Sequence, residues 1–160
     1  MDELATVKGI GSVKAVQIAA CVELGKRLAA YTGEERPAIH SPEDAANLLM
    51  PQMRDASREM LHSLLLDTKG KVIRHITVSV GGLDMSVVHP REVYKDAITS
   101  SAASLIVAHN HPSGDPTPSE EDRRVTRRLA EAGQLLGIEL LDHLVIGDGR
   151  WVSLKQQGMF

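Results

Sequence analysis

The sequence predicts an α/β sandwich, a mixed and largely antiparallel sheet flanked by helices, with a small helical segment ahead of it. Three observations predict this. Two apolar runs, Leu61 to Leu66 and Ser104 to His109, have the length and continuity of strands buried on both faces. Two turns, Asp67-Thr68-Lys69-Gly70 and Gly147-Asp148-Gly149, sit between apolar segments in the manner of hairpins. Segments with apolar residues at helical spacing alternate with the strands, which is the order that layers helices on a sheet.

Taken in order, VKAVQIAACVELGKRLAA over 13–30 reads as a helix, with Val13, Val16, Ala20, Leu24 and Leu28 at helical spacing and Ser12 as its N-cap. Cys21 lies among small apolar neighbours on this helix and is expected in a core. TGEERP, Thr32 to Pro37, is a charged linker and sets the domain boundary, 1–35 against 36–160. Ser41, Pro42 and the acids that follow open a short helix running to Met53. EMLHSLLLDTKGKVIRHITVSV is a β-hairpin, its return strand carried by Val72, Ile73, Ile76, Val78 and Val80. Gly81-Gly82 breaks it, and Asp84 to Val88 is expected as a third short strand. Pro90 opens a further helix, and SLIVAH is a buried strand. Ser119 caps a long helix with Val125, Leu129, Ala132 and Leu136 facing inward and Gly137 ending it. IELLDHLVIGD and WVSL form the closing hairpin.

Composition narrows the function. The chain has 160 residues, 42% apolar and 24% charged, as in an ordinary globular protein able to bury its own core. A net charge of −3 gives no global basic field for nucleic acid or anionic lipid. Aromatics at 2% argue against a surface that stacks single-stranded bases. The single cysteine excludes an internal disulfide and a thiolate zinc cage, and a cytoplasmic setting is expected. No apolar run reaches the roughly 18 residues of a membrane span, so no membrane partner is expected. MDELATVKGIG is acidic and glycine-broken, unlike a signal peptide, and its abrupt start reads as a piece of a longer protein.

The chemistry concentrates in HNHPSGDPTPSEED, His109 to Asp122. Each part has a structural reading: Ser119-x-x-Asp122 is close to a capping box, and proline-rich loops often precede helices. Together they do more. Histidines at i and i+2 leaving a strand point to one face. A tight loop holding Pro112, Gly114, Pro116 and Pro118 can bring the first helical turn back onto them. Two imidazoles and one carboxylate suit zinc and leave a fourth position open, as a hydrolase needs. Such a site also requires a base within hydrogen-bond reach of its water.

His109-x-His111-x(7)-Ser119-x-x-Asp122 matches the JAMM, or MPN+, metalloprotease signature, and VVHPREVYKDAITSSAASLIVAHNHPSGDPTPSEED resembles the bacterial RadC family, long labelled DNA repair proteins. The resemblance runs over the whole chain; Gly82, where the family usually has serine or threonine, is a departure outside the motif. It implies a cytidine-deaminase-like JAMM/MPN fold, one zinc ion held by His109, His111 and Asp122, and Ser119 near the scissile carbonyl. It also implies a base at Glu59, favoured over Glu92. The expected reaction is hydrolysis of an amide or isopeptide in a peptide or protein, with Glu59 taking a proton from water and Ser119 donating to the oxyanion.

Other residues carry less. Asp115 reads as a turn residue or a brace for a ligand histidine. Asp142-His143 reads as a hydrogen-bonded structural pair, with a brace for the metal strand as the functional alternative. His40, His62, His75 and His89 show no partner pattern. Val7 to Ala15 resembles a helix-hairpin-helix hairpin, hxGxGxxxA, in which Gly9 and Gly11 would let backbone N–H groups approach a phosphate. Residues 1–36 hold five basic and five acidic side chains, so DNA contact through the Gly9–Gly11 hairpin is expected to be weak and non-specific. A DNA repair or recombination accessory protein, its zinc domain a scaffold or a nuclease-like site acting on nucleic acid, is the competing function, and homo-oligomerisation is open. A zinc deaminase would want H-x-E with P-C-x-x-C, which the sequence lacks.

Overall fold

The structure, a computed structural model, describes residues 11–30, 36–81 and 88–160. The hairpin at Gly9, the Gly82 position and all but the last residue of the strand expected from Asp84 to Val88 lie outside the described residues. The chain divides into two units, Met1–Glu35 and Arg36–Phe160.

In the first unit the described element is α1 (Ser12–Ala30). The Ala15 amide donates to the Gly11 carbonyl at 3.0 Å, so Gly11 holds the cap position expected of Ser12. The apolar residues of α1 do not form the expected buried face. Val13 is 70% and Leu24 68% exposed, and Val16, Ile18 and Val22 are open too. Cys21, expected in a core, is exposed. Val13, Val16 and Leu24 do share one face, but Ile18 and Val22 lie on the opposite one, and both faces are exposed.

The second unit runs α2 (Pro42–Met53), β1 (Met60–Leu66), β2 (Val72–Val80), α3 (Pro90–Thr99), β3 (Ser104–Asn110), α4 (Glu120–Leu136), β4 (Glu139–Ile146) and β5 (Trp151–Ser153). The strands make one sheet in the order β2-β1-β3-β4-β5. β1 is antiparallel to both β2 and β3, β3 is parallel to β4, and β4 is antiparallel to β5. The mixed, mainly antiparallel α/β architecture is the one the sequence predicts. The parallel pair requires a crossover, and α4 supplies it. No helix among the described residues is long and apolar enough to cross a membrane.

Strand alternation divides the core into two layers. Leu61, Leu65, Leu105 and Val107 pack beneath α3 and α4, against Val93, Ala97, Val125 and Leu129. Leu64, Leu66, Ile106, Ala108, Leu144 and Ile146 pack beneath α2, against Ala45, Ala46, Leu49 and Met53. α3 and α4 are locked by Tyr94, whose hydroxyl donates to the Leu129 carbonyl at 2.9 Å. Its burial pushes the phenol up to about 12. Leu136, expected to face inward, is 47% exposed. It lies in the last turn, over an open groove lined by Tyr94, Ile98 and Ala132. Gly137 ends α4 in the left-handed region at φ 69°, with the Ile138 amide returning to the Gly133 carbonyl at 3.0 Å.

His62 and His75, for which the sequence showed no partner, pair with each other at 2.6 Å, Nδ1 to Nε2. Leu64 stands opposite His75 and His62 opposite Thr77, so the two rings are diagonal neighbours across the hairpin. His62 is buried and its Nε2 has no hydrogen-bond partner. Desolvation, with a smaller contribution from the His75 charge, lowers its pKa to about 4. The folded form thus refuses a proton that the unfolded chain accepts near pH 6.5. Folding stability should fall as pH drops from about 6.5 to about 4 and then flatten with respect to this group. Denaturant midpoints measured across that window should show a shallower decline for His62→Leu than for the natural chain. Equal slopes would remove His62 as the source.

Candidate metal centre

Three side chains from two elements and the loop between them meet at one end of the sheet. His109 is the penultimate residue of β3, His111 follows the strand, and Asp122 is in the first turn of α4. One imidazole nitrogen from each histidine and one carboxylate oxygen of Asp122 lie within 4.8 Å of one another. His109 Nε2 is 3.0 Å from His111 Nε2 and 3.3 Å from Asp122 Oδ1, and His111 Nε2 is 3.6 Å from Asp122 Oδ2. His109 and Asp122 are buried, and His111 is half-buried. Strand alternation puts His109 on the α4 side with Leu105 and Val107, which is why it meets the helix N-terminus.

The capping reading of Ser119 and Asp122 holds as well. Ser119 N–H and O–H both donate to Asp122 Oδ2 at 2.7 Å, and Asp122 N–H donates to Ser119 Oγ at 3.1 Å. One carboxylate oxygen therefore closes the capping box while the other faces His109. Burial opposes the charge on Asp122, yet the hydrogen bonds of His109 and His111, the His109 charge and Ser119 outweigh it and hold the carboxyl well below the usual range. The hydrogen bond to Asp122 raises His111 against an opposing burial effect, with the Asp115 carbonyl and the charges of Asp122 and Glu59 adding to the rise.

The loop is held by features that the sequence only partly marks. His111 Nδ1 donates to the Asp115 backbone carbonyl at 2.7 Å, so Asp115 braces the ring through its main chain. Its side chain makes the turn, accepting from Thr117 N–H and O–H at 3.1 and 2.8 Å. Gly114 adopts φ 79°. Gly147 lies directly under this loop; a Cβ there would overlap the Gly114 carbonyl and come within 2.9 Å of Pro116 Cδ.

Glu59 stands one residue before β1, two residues from Leu61, which pairs with His109 across β1 and β3. It is half-buried, and its carbonyl accepts from Gly81 N–H at 2.9 Å. Glu92 sits in the first turn of α3, exposed, with its carboxylate 3.1 Å from Arg91 Nε.

Two contributors escaped sequence reasoning. Asn110, between the two histidines, is buried on the opposite face of β3. Its Oδ1 accepts from Met60 N–H at 2.8 Å, and its Nδ2 donates to the Ala56 and Arg58 carbonyls at 3.4 and 3.2 Å. It thereby ties down the segment that carries Glu59. The second is Thr126, which bonds His143. Asp142 and His143 do not pair through their side chains, because consecutive strand residues point to opposite faces. Asp142 instead accepts from Ser153 O–H at 2.6 Å, Lys155 N–H at 3.1 Å and His143 N–H at 2.7 Å, anchoring the closing hairpin. His143 is fully buried and bonds the ligand candidate His109 at 2.8 Å.

A family model described as RadC-like JAB domain matches residues 39–159, and the chain belongs to that family. It is similar to a UPF0758 protein of Desulforamulus reducens, 54% identical over 159 residues, which covers 99% of this chain and 70% of that protein. UPF0758 protein YsxA of Bacillus subtilis is 58% identical over 158 residues, covering 99% of this chain and 68% of its own length. A UPF0758 protein of Moorella thermoacetica is 55% identical over 159 residues, covering 99% and 69%.

The donor set fits a divalent ion: two imidazole nitrogens and an ionised carboxylate, buried and converging. Metal analysis of protein purified without chelator should find about one equivalent per chain, and His109→Ala should reduce it at least tenfold. Unchanged content would sink the assignment. Asp122→Asn separates cap from ligand, since its amide oxygen still accepts from Ser119. It should keep the unfolding free energy within about 1 kcal/mol while losing the metal. Gly147→Ala should destabilise by about 1–3 kcal/mol and weaken metal binding, because the His111 loop must move aside; titration of both proteins with Zn2+ reads the second effect.

Proposed function

We propose that residues 36–160 form a zinc-dependent hydrolase of the JAMM type that cleaves an amide or isopeptide bond in a peptide or protein substrate. The observation that carries the reading is the buried convergence of His109, His111 and Asp122, together with membership of the RadC-like JAB family. These three residues would hold one ion. When bound, that ion would supply Lewis acidity for the carbonyl and lower the pKa of water at the site. Zinc suits two imidazoles and a carboxylate best among the common divalent ions.

The chain's own residues divide the remaining work. Glu59 accepts a proton as the water oxygen bonds to the carbonyl carbon, and returns it to the departing amine as the C–N bond breaks. Its support is its place two residues from Leu61, the partner of His109 across the sheet, and its electrostatic effect on the His111 ring. Ser119 is exposed and its hydroxyl is at the rim of the site. Turned from Asp122 Oδ2 toward substrate, it donates to the developing oxyanion. Glu92, exposed and ion-paired with Arg91, is less suited to the base.

The test is a screen of Zn2+-loaded full-length chain against fluorogenic peptide and isopeptide libraries, repeated with Glu59→Gln. The variant should retain stoichiometric metal and lose about 100-fold or more in turnover. Retained turnover would remove Glu59 from the role, and loss of metal would make it a ligand.

A further inference from the structure

Behind His109, on the side away from the cluster, runs a line of buried hydrogen bonds that the proposed reaction does not use. His109 Nδ1 is 2.8 Å from His143 Nε2. His143 Nδ1 is 2.5 Å from Thr126 Oγ1, and Thr126 Oγ1 is 2.5 Å from the Asp122 backbone carbonyl. His109, His143 and Thr126 are all fully buried.

The direction of every proton in this line follows from its end. A carbonyl can only accept, so the single Thr126 hydroxyl proton goes to Asp122 O. The hydroxyl oxygen is then left to accept from His143, which places the proton of the neutral His143 ring on Nδ1. His143 Nε2 therefore carries a lone pair and accepts, so His109 must bear its proton on Nδ1. His109 Nε2, turned toward Asp122 and His111, is then the nitrogen whose proton, held against the Asp122 carboxylate, would give way to an ion. A second buried partner of the opposite polarity would reverse the order and put a proton where a ligand electron pair is needed.

We propose that Thr126 and His143 are positioning residues that hold the His109 proton on Nδ1 and so reserve its Nε2 as the ligand atom. The line also closes on itself. It starts at the ring of one candidate ligand and ends at the main chain of another, so it ties β3 and β4 to the first turn of α4 and sets the spacing of His109 and Asp122. Partners of this type are worth about 10- to 100-fold in metal affinity. The use of the lock rests on the metal-centre reading, whereas the Nδ1 proton and its His143 partner are a property of the metal-free chain.

Long-range 1H–15N correlation NMR on the metal-free full chain reads the tautomer, and Zn2+ or Co2+ titration reads the affinity. The natural chain should show His109 protonated on Nδ1. His143→Leu should mix in the Nε2–H form and weaken Zn2+ binding about 10- to 100-fold. His143→Gln, whose amide can accept from His109 and donate to Thr126, should restore the tautomer and most of the affinity. Should His143→Leu not fold, Thr126→Val removes the far acceptor with little change of shape and should move both readouts in the same direction. A natural chain whose His109 carries no proton on Nδ1 overturns the proposal, as does a folded His143→Leu or Thr126→Val with both readouts unchanged. A natural chain that shows the Nδ1–H tautomer but binds neither Zn2+ nor Co2+ sinks the metal-centre reading and leaves the lock standing.

Discussion

A carboxylate withdrawn from water must be matched by donors or neutralised, and Asp122 is the point where this constraint governs the protein. Burial opposes its charge, yet the two imidazoles and Ser119 keep it ionised. That balance cannot be met by α4 alone, because the helix N-terminus offers only the Ser119 donors. It needs the end of β3 to arrive on the same side of the sheet. The strand order and the α4 crossover are what bring it there.

The surroundings serve the same meeting point. The His111 loop is pressed onto the closing hairpin at Gly147, which has no side chain to obstruct it. The hairpin in turn is anchored by the Asp142 carboxylate, whose pKa burial raises despite three donors. Asn110 and His109, adjacent on β3, face opposite ways: one fixes the Glu59 segment and the other enters the cluster. Successive residues of one strand thus set two sides of the site through strand alternation alone.

What could be read from the sequence was whatever is local. His109, His111, Ser119 and Asp122 fall within 14 residues, with spacing that states both a capping box and a ligand set. Helices α2 and α4 announce themselves through Ser41 and Ser119 caps, and the β1–β2 hairpin through its turn. What escaped is non-local. Thr126 and His143 are 17 residues apart, and Asn110 reaches across 50 residues to Met60. Their roles exist only once the strand register is known. Nor do the apolar side chains of α1 become a core by helical spacing alone, since Val13, Val16 and Leu24 share a face and are exposed. Cys21 looked internal for the same reason and is exposed.

Anomalous diffraction at the zinc absorption edge, on crystals grown from the zinc-loaded chain, tests the central claim most directly. One strong peak should appear, bounded by His109 Nε2, His111 Nε2 and the Asp122 carboxylate. No peak there, with the two histidines still hydrogen-bonded to each other and to Asp122, would contradict it and reduce the cluster to a buried ion-pair network beneath a helix cap.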